Sequence, residues 1–474
     1  VTGSVMGLLD ALEERGVAYN HDLADMYRGF HGERDYRGAG ALNSHDYEYC
    51  CLYEPSVADA SCYTEDLLAN ARAFSDTALV VIGRVAGESI DCPERQYKVR
   101  GRDGSVVTDA TRSYLELSQE EEELLAYVGA TYERVVVVVN STNVMELGAL
   151  ETIPGIDAAL LVGPTGEVGA RAVASVLWGD TNPSGRTADT YAYDFATAAS
   201  WANAGEKGEG SYVGSQGLYP ADGTPNVNVG VAETYDAVRY VDYAEGIYVG
   251  YRWYETADAE GFWDDVANEH GTGYDGVVQY PFGYGLSYTT FSWEVTGRSP
   301  SEGMRVGRDA SFSVRVRVTN TGDVAGRDVV QLYCSAPYVS GGIEKASSVL
   351  VAYEKTRLLQ PGESQELTLS FALDDVASYD FRDANGNGFA GYELERGEYV
   401  IELRRNAHEP ADCPAARTML YLPQDVTCDT SLETGAAVTN RFTGEAAADG
   451  VSIDGSDSGA GIEWLTRADF AGTF

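Results

Sequence analysis

Basic residues are scarce in this chain. Its 33 Lys and Arg face 74 Asp and Glu, giving a formal net charge of −41 over 474 residues. That composition excludes nucleic acid as a partner, because phosphate backbones are held by clustered Lys and Arg. It fits a solvated acidic surface suited to a salty medium better than specific cation binding. Histidine is rarer still, with 5 residues, and the 7 cysteines include an adjacent pair at Cys50 and Cys51 with the rest scattered. An odd count without regular spacing is no disulfide framework, and the absence of Cys-x-x-Cys argues against zinc. A reducing, cytoplasmic compartment is the expectation. No apolar run approaches the ~18 residues of a membrane helix, so no membrane partner is expected. No initiator Met precedes Val1, so the visible start reads as interior to a longer chain. Gly163, Gly166 and Gly169 lack the Lys of a phosphate-binding loop. Ser287, in Gly285-Leu-Ser-Tyr288, lacks the second Gly of a nucleophile elbow. No cofactor is expected.

What is present suffices for real cores: 44% of the chain is hydrophobic, and the length suits two or three domains. From Val5 to about Leu177, helix and strand patterns alternate. Leu8, Leu9 and Leu12 share a helical face that Gly16 can end. Residues 17–19 read as a short strand. Thr64 opens a helix with Leu67, Leu68, Ala71 and Phe74 available to its buried side. Residues 77–82 form the continuous apolar run of a strand covered on both faces. Ser118 and Glu121 make a capping box before Leu124 and Leu125. Residues 135–139 and 158–162 are further buried strands, and 167–177 a helix. This order predicts an α/β sandwich domain over residues 1–290 with a largely parallel sheet. Residues 33–61 have no period and read as an excursion. Residues 201–230, within a loop region near 195–240, read as a long surface loop.

After Phe291 the period becomes two. Phe312, Val314, Val316 and Val318 alternate with Ser313, Arg315, Arg317 and Thr319, the pattern of a half-buried antiparallel strand. Residues 329–333, 366–371, 398–403 and 418–421 repeat it between turns at 320–323 and 361–363. Short strands with regular turns predict an all-β sandwich of fibronectin type III kind over 291–430. Residues 431–474 read as a tail or linker. Ile462, Trp464, Leu465 and Phe470 near its end predict that it packs on a surface. Asp383-Ala-Asn385-Gly-Asn387-Gly388 imitates the start of a calcium loop, but Leu394 takes the twelfth position and no helices flank it. It reads as a strand connection, and no metal site is expected.

The run Ile82-Gly-Arg-Val-Ala-Gly-Glu-Ser-Ile-Asp91 follows the apolar stretch 77–81, at a strand end where α/β domains place functional side chains. Glu88 stands there among small residues. A solvated loop carboxylate is the plain alternative. The run resembles the Gly-Arg-x-x-Gly-Glu loop of glycoside hydrolase family 3. Further stretches are similar to that family in order: Val135-Val-Val-Val-Val-Asn-Ser-Thr-Asn-Val-Met145, Val162-Gly-Pro-Thr-Gly-Glu-Val-Gly-Ala-Arg-Ala172, Leu177-Trp-Gly-Asp-Thr-Asn-Pro-Ser-Gly-Arg186, Glu245-Gly-Ile-Tyr-Val-Gly-Tyr-Arg252 and Pro281-Phe-Gly-Tyr-Gly-Leu-Ser-Tyr288. Val318-Thr-Asn-Thr-Gly322 and Leu359-Gln-Pro-Gly-Glu363 resemble its fibronectin-like domain. Ser89 and Cys92 stand where the family often has Gly and Arg.

The resemblance implies a retaining exo-acting β-glycosidase, most nearly a β-glucosidase, with Glu88 as acid/base and Glu94 as the fallback. Retaining hydrolysis needs two carboxyl groups ~5–5.5 Å apart, and a loop Glu at a domain interface suits the acid role. Arg84 and Asp91 would touch substrate hydroxyls or orient the loop, and a structural ion pair within the loop is an equal alternative. The family's nucleophilic Asp lies on a (β/α)8 barrel, which this chain does not contain. Leu465-Thr-Arg-Ala-Asp-Phe-Ala-Gly-Thr-Phe474 resembles the linker entering the barrel in an inverted subset. The implied partners are a β-glycoside substrate and a barrel domain or chain, with a further oligomer open. The alternative is a non-catalytic carbohydrate-binding or assembly subunit; an unrelated flavodoxin-like binding domain would not explain the ordered motifs.

Overall fold

The computed structural model describes residues 5–30, 52–86, 92–93, 95–100, 105–201, 206–207, 211–212, 215–219, 238–241, 243–439, 441 and 464–471. Two compact units emerge: Val1–Thr181 with Gly205–Lys207, and Asn182–Ala204 with Gly208–Phe474.

The first unit runs α1 (Leu8–Glu14), α2 (His21–Phe30), α3 (Glu65–Phe74), β1 (Thr77–Gly83), β2 (Gln96–Arg100), β3 (Ser105–Asp109), α4 (Gln119–Thr131), β4 (Arg134–Asn140), α5 (Ala149–Thr152), β5 (Ala158–Val162) and α6 (Ala170–Leu177). β1, β4 and β5 form a parallel sheet with β4 in the middle. Leu124, Leu125 and Val128 of α4 are buried where that helix packs on β1 and β4. On the same helix a Cβ at Gly129 would stand 2.2 Å from the Pro154 carbonyl oxygen, so only Gly lets the chain pass there. α1 meets α6 through Ala11, Leu12, Ala170 and Ala174.

Three local expectations change. Residues 17–19 pair with no strand among the described residues. Asn20 instead caps α2, its Oδ1 accepting from the Leu23 N–H at 2.9 Å. Phe74 is 48% exposed, and Ala71 is the buried residue of α3. β1 is not covered on both faces: Val80 and Ile82 are buried, but Val81 between them is 52% exposed. A continuous apolar run has no alternation from which an open face can be read.

The second unit opens with short strands and one helix. These are β6 (Tyr191–Ala192), β8 (Ser211–Tyr212), β9 (Ser215–Tyr219), β10 (Val238–Val241), α7 (Tyr251–Ala259) and β11 (Val278–Tyr280), with β7 (Glu206–Lys207) assigned to the first unit. The stretch 201–230, expected as loop, thus contains β9, which pairs antiparallel with β10. The fibronectin-like sandwich follows. One sheet orders β12 (Phe291–Ser299), β13 (Ser311–Asn320) and β16 (Ser364–Ala372); the other orders β15 (Val349–Lys355), β14 (Val329–Ser335), β19 (Gly397–Arg404) and β20 (Arg417–Leu422). β17 (Ser378–Asp380), β18 (Gly391–Leu394) and β21 (Val426–Thr427) add a small sheet. Phe312, Val314, Val316 and Val318 all point into the core, as their alternation predicts. Parallel pairing between strands is confined to β1, β4 and β5 among the described residues, which form no barrel.

The units divide the chain at residue 181, not at the change of period near 291. β14 gives the reason. Val330, Leu332 and Cys334 enter the sandwich core, but Gln331 and Tyr333 on the opposite face are buried as well. Gln331 Nε2 donates to the Gly283 carbonyl at 3.0 Å, and Tyr333 meets the Tyr251 ring edge-on at 6.2 Å. The turn at residues 182–187 joins the same layer. Asn182 Oδ1 accepts from Ser287 Oγ at 3.0 Å and the Tyr288 N–H at 2.8 Å, while its Nδ2 donates to the Ala325 carbonyl at 3.1 Å.

The last described segment also packs within this unit. Leu465 is buried in the cluster of α7, and Phe470 lies edge-on to Trp253 at 5.5 Å and to Phe262 at 5.1 Å. Trp464 meets Phe381 at 5.9 Å. The expectation that these residues pack on a surface is met for the three; Ile462 lies outside the described residues. Cys62, Cys334, Cys413 and Cys428 are free thiols.

Asp328 ties the turn to the sandwich. It is 3% exposed. Its Oδ1 accepts from Arg186 Nη2 at 2.9 Å, and its Oδ2 accepts from Trp293 Nε1 at 2.7 Å and Arg405 Nη1 at 3.3 Å. The Arg405 guanidinium lies 3.9 Å from the Trp293 ring centroid. Removing one member of a buried ion pair strands the others, which costs about 3–5 kcal/mol. Asp328→Ala should therefore lower the unfolding free energy of this unit by roughly that amount, read from urea denaturation followed by tryptophan fluorescence. A loss under about 1 kcal/mol, the size of an exposed pair, would show that the network is not a stabilising centre.

Candidate active-site loop

The loop of interest leaves the C-terminal end of β1. Gly83 pairs with Asn140 at the end of the parallel ladder, and the Arg84 N–H extends that contact by donating to the Asn140 carbonyl at 3.2 Å. Arg84 then turns inward, its side chain fully buried. Every guanidinium N–H has an acceptor. Nε donates to the Tyr114 carbonyl at 2.7 Å. Nη1 donates to the Gly83 carbonyl at 2.9 Å and Glu121 Oε1 at 2.8 Å, and Nη2 to the Glu116 carbonyl at 2.6 Å and Glu121 Oε2 at 2.7 Å. A bidentate carboxylate is the geometry that the planar Arg fork matches. Glu121 is held in its turn. It is the capping-box residue of α4, its Oε2 accepting from the Ser118 N–H at 2.8 Å while Ser118 Oγ accepts from the Glu121 N–H at 3.1 Å.

The next residue is clamped too. The Val85 N–H donates to Tyr114 Oη at 2.9 Å, and Tyr114 Oη donates to the Val85 carbonyl at 3.0 Å. Where the chain returns as β2, Gln96 Nε2 donates to the carbonyls of Ser113 at 2.8 Å and Glu116 at 3.0 Å. Both ends of the loop are therefore tied to one short segment, residues 113–116. Glu88, Asp91 and the fallback Glu94 lie outside the described residues. Of the candidates read from the sequence, Arg84 is placed, and its five donors are spent on Tyr114, Gly83, Glu116 and Glu121. Tyr114, Gln96 and the second role of Glu121 were not foreseen. The capping box pointed to Glu121, but only as a helix cap.

A further carboxyl group in this unit feels the charge of Glu121. Glu54 Oε1 accepts from Tyr63 Oη at 2.6 Å and from Tyr27 Oη at 3.1 Å, and the two hydroxyls are 2.5 Å apart. Burial pushes the Glu54 carboxyl up to about 7, against the lowering effect of the two hydroxyls, and the charges of Glu121 and Glu120 push the same way as burial. Glu54 falls in the stretch without period, which gave no signal for it. Between the ordinary Glu value near ~4.3 and about 7, the native state holds a proton that the unfolded chain has released, so stability falls as pH rises. The expected slope is on the order of 1 kcal/mol per pH unit. Urea denaturation at several pH values should show this decline in the wild type and a flatter profile in Glu54→Gln; an unchanged profile in the variant would remove Glu54 as its source.

Comparison with known proteins bears on what this loop belongs to. Residues 18–251 match the glycosyl hydrolase family 3 C-terminal domain, and residues 328–407 match a fibronectin type III-like domain. Beta-glucosidase A of Butyrivibrio fibrisolvens is 34% identical over 365 residues, covering 74% of this chain and 38% of that protein. A beta-glucosidase of Ruminococcus albus is 30% identical over 412 residues, covering 86% of this chain and 34% of that protein. The crystal structure of a beta-glucosidase from Paenibacillus barengoltzii superposes with a TM-score of 0.62 at 29% identity, over 90% of this chain and 39% of that one. Beta-glucosidase 3B from Thermotoga neapolitana, in complex with glucose, gives 0.61 at 25% identity, over 89% and 47%. The chain thus spans less than half the length of these proteins. With both domain matches in sequence order and the parallel sheet followed by the β-sandwich, the chain belongs to glycoside hydrolase family 3, of which it carries the C-terminal α/β domain and the fibronectin type III-like domain.

Proposed function

We propose that this chain is the acid/base-bearing portion of a retaining exo-acting β-glycosidase, most nearly a β-glucosidase, in which a barrel domain supplies the nucleophilic Asp. The observation that carries this reading is the anchored loop itself. A side chain that must meet a substrate on a second domain needs a loop whose two ends do not drift, and the ties to residues 113–116 hold both. The family match and the β-glucosidase relatives support the same substrate class. In this reading the barrel follows the chain in the inverted domain order.

The mechanism follows from the needs of acetal cleavage. The nucleophile attacks the anomeric carbon while Glu88, protonated, gives its proton to the departing glycosidic oxygen. The covalent glycosyl-enzyme is then hydrolysed by water that the Glu88 carboxylate deprotonates, with net retention. Asp91 meets sugar hydroxyls. Arg84 acts as a positioning residue, holding the strand end from which the loop departs.

Three experiments test this. In the complete enzyme, Glu88→Gln should lower turnover of substrates with poor leaving groups by about 10²–10⁴-fold. It should spare the glycosylation step for good leaving groups, and azide should restore deglycosylation and yield a β-glycosyl azide. The chain without a barrel should turn over no aryl β-glucoside. Ordinary disaccharide hydrolysis by Glu88→Gln would overturn the assignment, and activity of the chain alone would overturn the shared-site reading. Arg84→Lys keeps the charge but loses the fork. It should lower kcat by roughly tenfold or more with KM less affected, and leave the leaving-group dependence as in the wild type. A change in KM alone would instead place Arg84 on the substrate.

A further inference from the structure

A buried carboxylate in the second unit is only half satisfied. Glu393, on β18, is 1% exposed. Its Oε2 accepts from Asn385 Nδ2 at 3.0 Å and Asn387 Nδ2 at 2.5 Å, but its Oε1 is buried with no hydrogen-bond partner among the described residues. Asp380 and Asp383 add negative charge nearby. A buried charge left in this state is expensive, and such a group in a native protein calls for a missing partner.

The two amides that reach Glu393 belong to the loop Asp383-Ala-Asn385-Gly-Asn387-Gly388. The Gly388 N–H donates to both Asp383 carboxylate oxygens, at 3.1 and 3.0 Å. Asn385 Oδ1 accepts from the Asn387 N–H at 3.1 Å, and Asn387 Oδ1 from the Phe389 N–H at 2.8 Å. Gly388 has φ +82°, so the sharp turn at the sixth position is one that a side chain would strain. Acid or amide at positions one, three and five with Gly at six is the start of a calcium loop.

The twelfth residue, Leu394, offers no ligand. The strand changes the count. In a helical calcium site the closing acid comes from a helix, whereas in a strand successive side chains face opposite ways. Leu394 enters the sandwich core, and Glu393, one residue earlier, faces the Asn amides. Among the described residues no three His, Cys, Asp or Glu side chains form a metal cluster. Calcium does not require one, because amide and backbone carbonyl oxygens complete its shell.

We infer that this loop binds Ca²⁺, with the carboxylates of Asp383 and Glu393, the Oδ1 atoms of Asn385 and Asn387 and the Phe389 carbonyl as ligands. Each Asn Oδ1 has a second lone pair for the ion, and the Nδ2 atoms keep hold of Glu393 Oε2, leaving Oε1 to the metal. Two carboxylates make a site of modest affinity, with Kd between roughly 10⁻⁵ and 10⁻³ M.

The test uses the full chain freed of metal by a chelator. Calorimetric titration with CaCl₂ should show one site in that range, with MgCl₂ at least about tenfold weaker. Tb³⁺ should give luminescence sensitised by Tyr379 and Tyr392, quenched by Ca²⁺. Saturating Ca²⁺ should raise Tm by roughly 3–5 °C. Asp383→Ala should abolish these effects. Glu393→Gln keeps the shape and the amide contacts, so it should raise Tm without Ca²⁺ yet remove the Ca²⁺-dependent rise. A flat Ca²⁺ titration to about 10 mM, beyond the range of weak extracellular sites, would overturn the inference. So would Ca²⁺ binding undiminished in Asp383→Ala and Glu393→Gln, which would assign the ion to the general acidic surface, and so would equal affinity for Mg²⁺.

Discussion

A guanidinium can be taken out of water only if each of its donors finds an acceptor. Arg84 meets that condition with three backbone carbonyls and one bidentate carboxylate. The rest of the first unit's functional end depends on it. The requirement places residues 113–116 beside the end of β1, aligns the first turn of α4 through Glu121, and fixes the direction in which the chain leaves the sheet. Glu121 answers two demands at once, the orphan N–H of a helix start and the charge of Arg84. A helix cap is normally a local device worth about 1 kcal/mol; here it is joined to a long-range contact.

The second unit rests on a similar arrangement with opposite roles. There a single carboxylate, Asp328, collects two arginines and an indole. Its partners come from the turn after Asn182, from β12 and from the end of β19, so one buried charge registers three separate stretches of chain. In these two networks the buried charges are balanced locally, Glu121 by Arg84 and Asp328 by Arg186 and Arg405.

Much of this was legible in the sequence. The period-two alternation from Phe312 to Val318 gave the sandwich strand and its buried face, and the capping box at Ser118 gave the start of α4. The Asn-Pro-Ser-Gly turn was recognisable as a motif; its physical reason, three hydrogen bonds from Asn182, required the fold. What was illegible falls into identifiable kinds. The apolar run of β1 carries no alternation, so exposure of Val81 could not be read. Residues 17–19 have strand propensity but no partner strand among the described residues. Phe74 fits a helical face that the fold leaves open. The ends of the candidate loop were visible as a motif, whereas their anchors, Tyr114 and Gln96, have no local pattern because the contacts are non-local. Glu54 lies where the sequence offers no period at all.

The burial of β14 on both faces has a practical meaning for anyone wishing to isolate the sandwich. The change of period at Phe291 marks where side chains begin to alternate, not where the structure can be cut. A fragment starting there would carry Gln331 without the Gly283 carbonyl, Tyr333 without Tyr251, and Asp328 without Arg186. It would present a polar-lined, partly aromatic sheet face to solvent and to other copies of itself. The sandwich is in this sense a borrowed domain: its amino acids complete one core, and the residues before it complete the other side of its central strand.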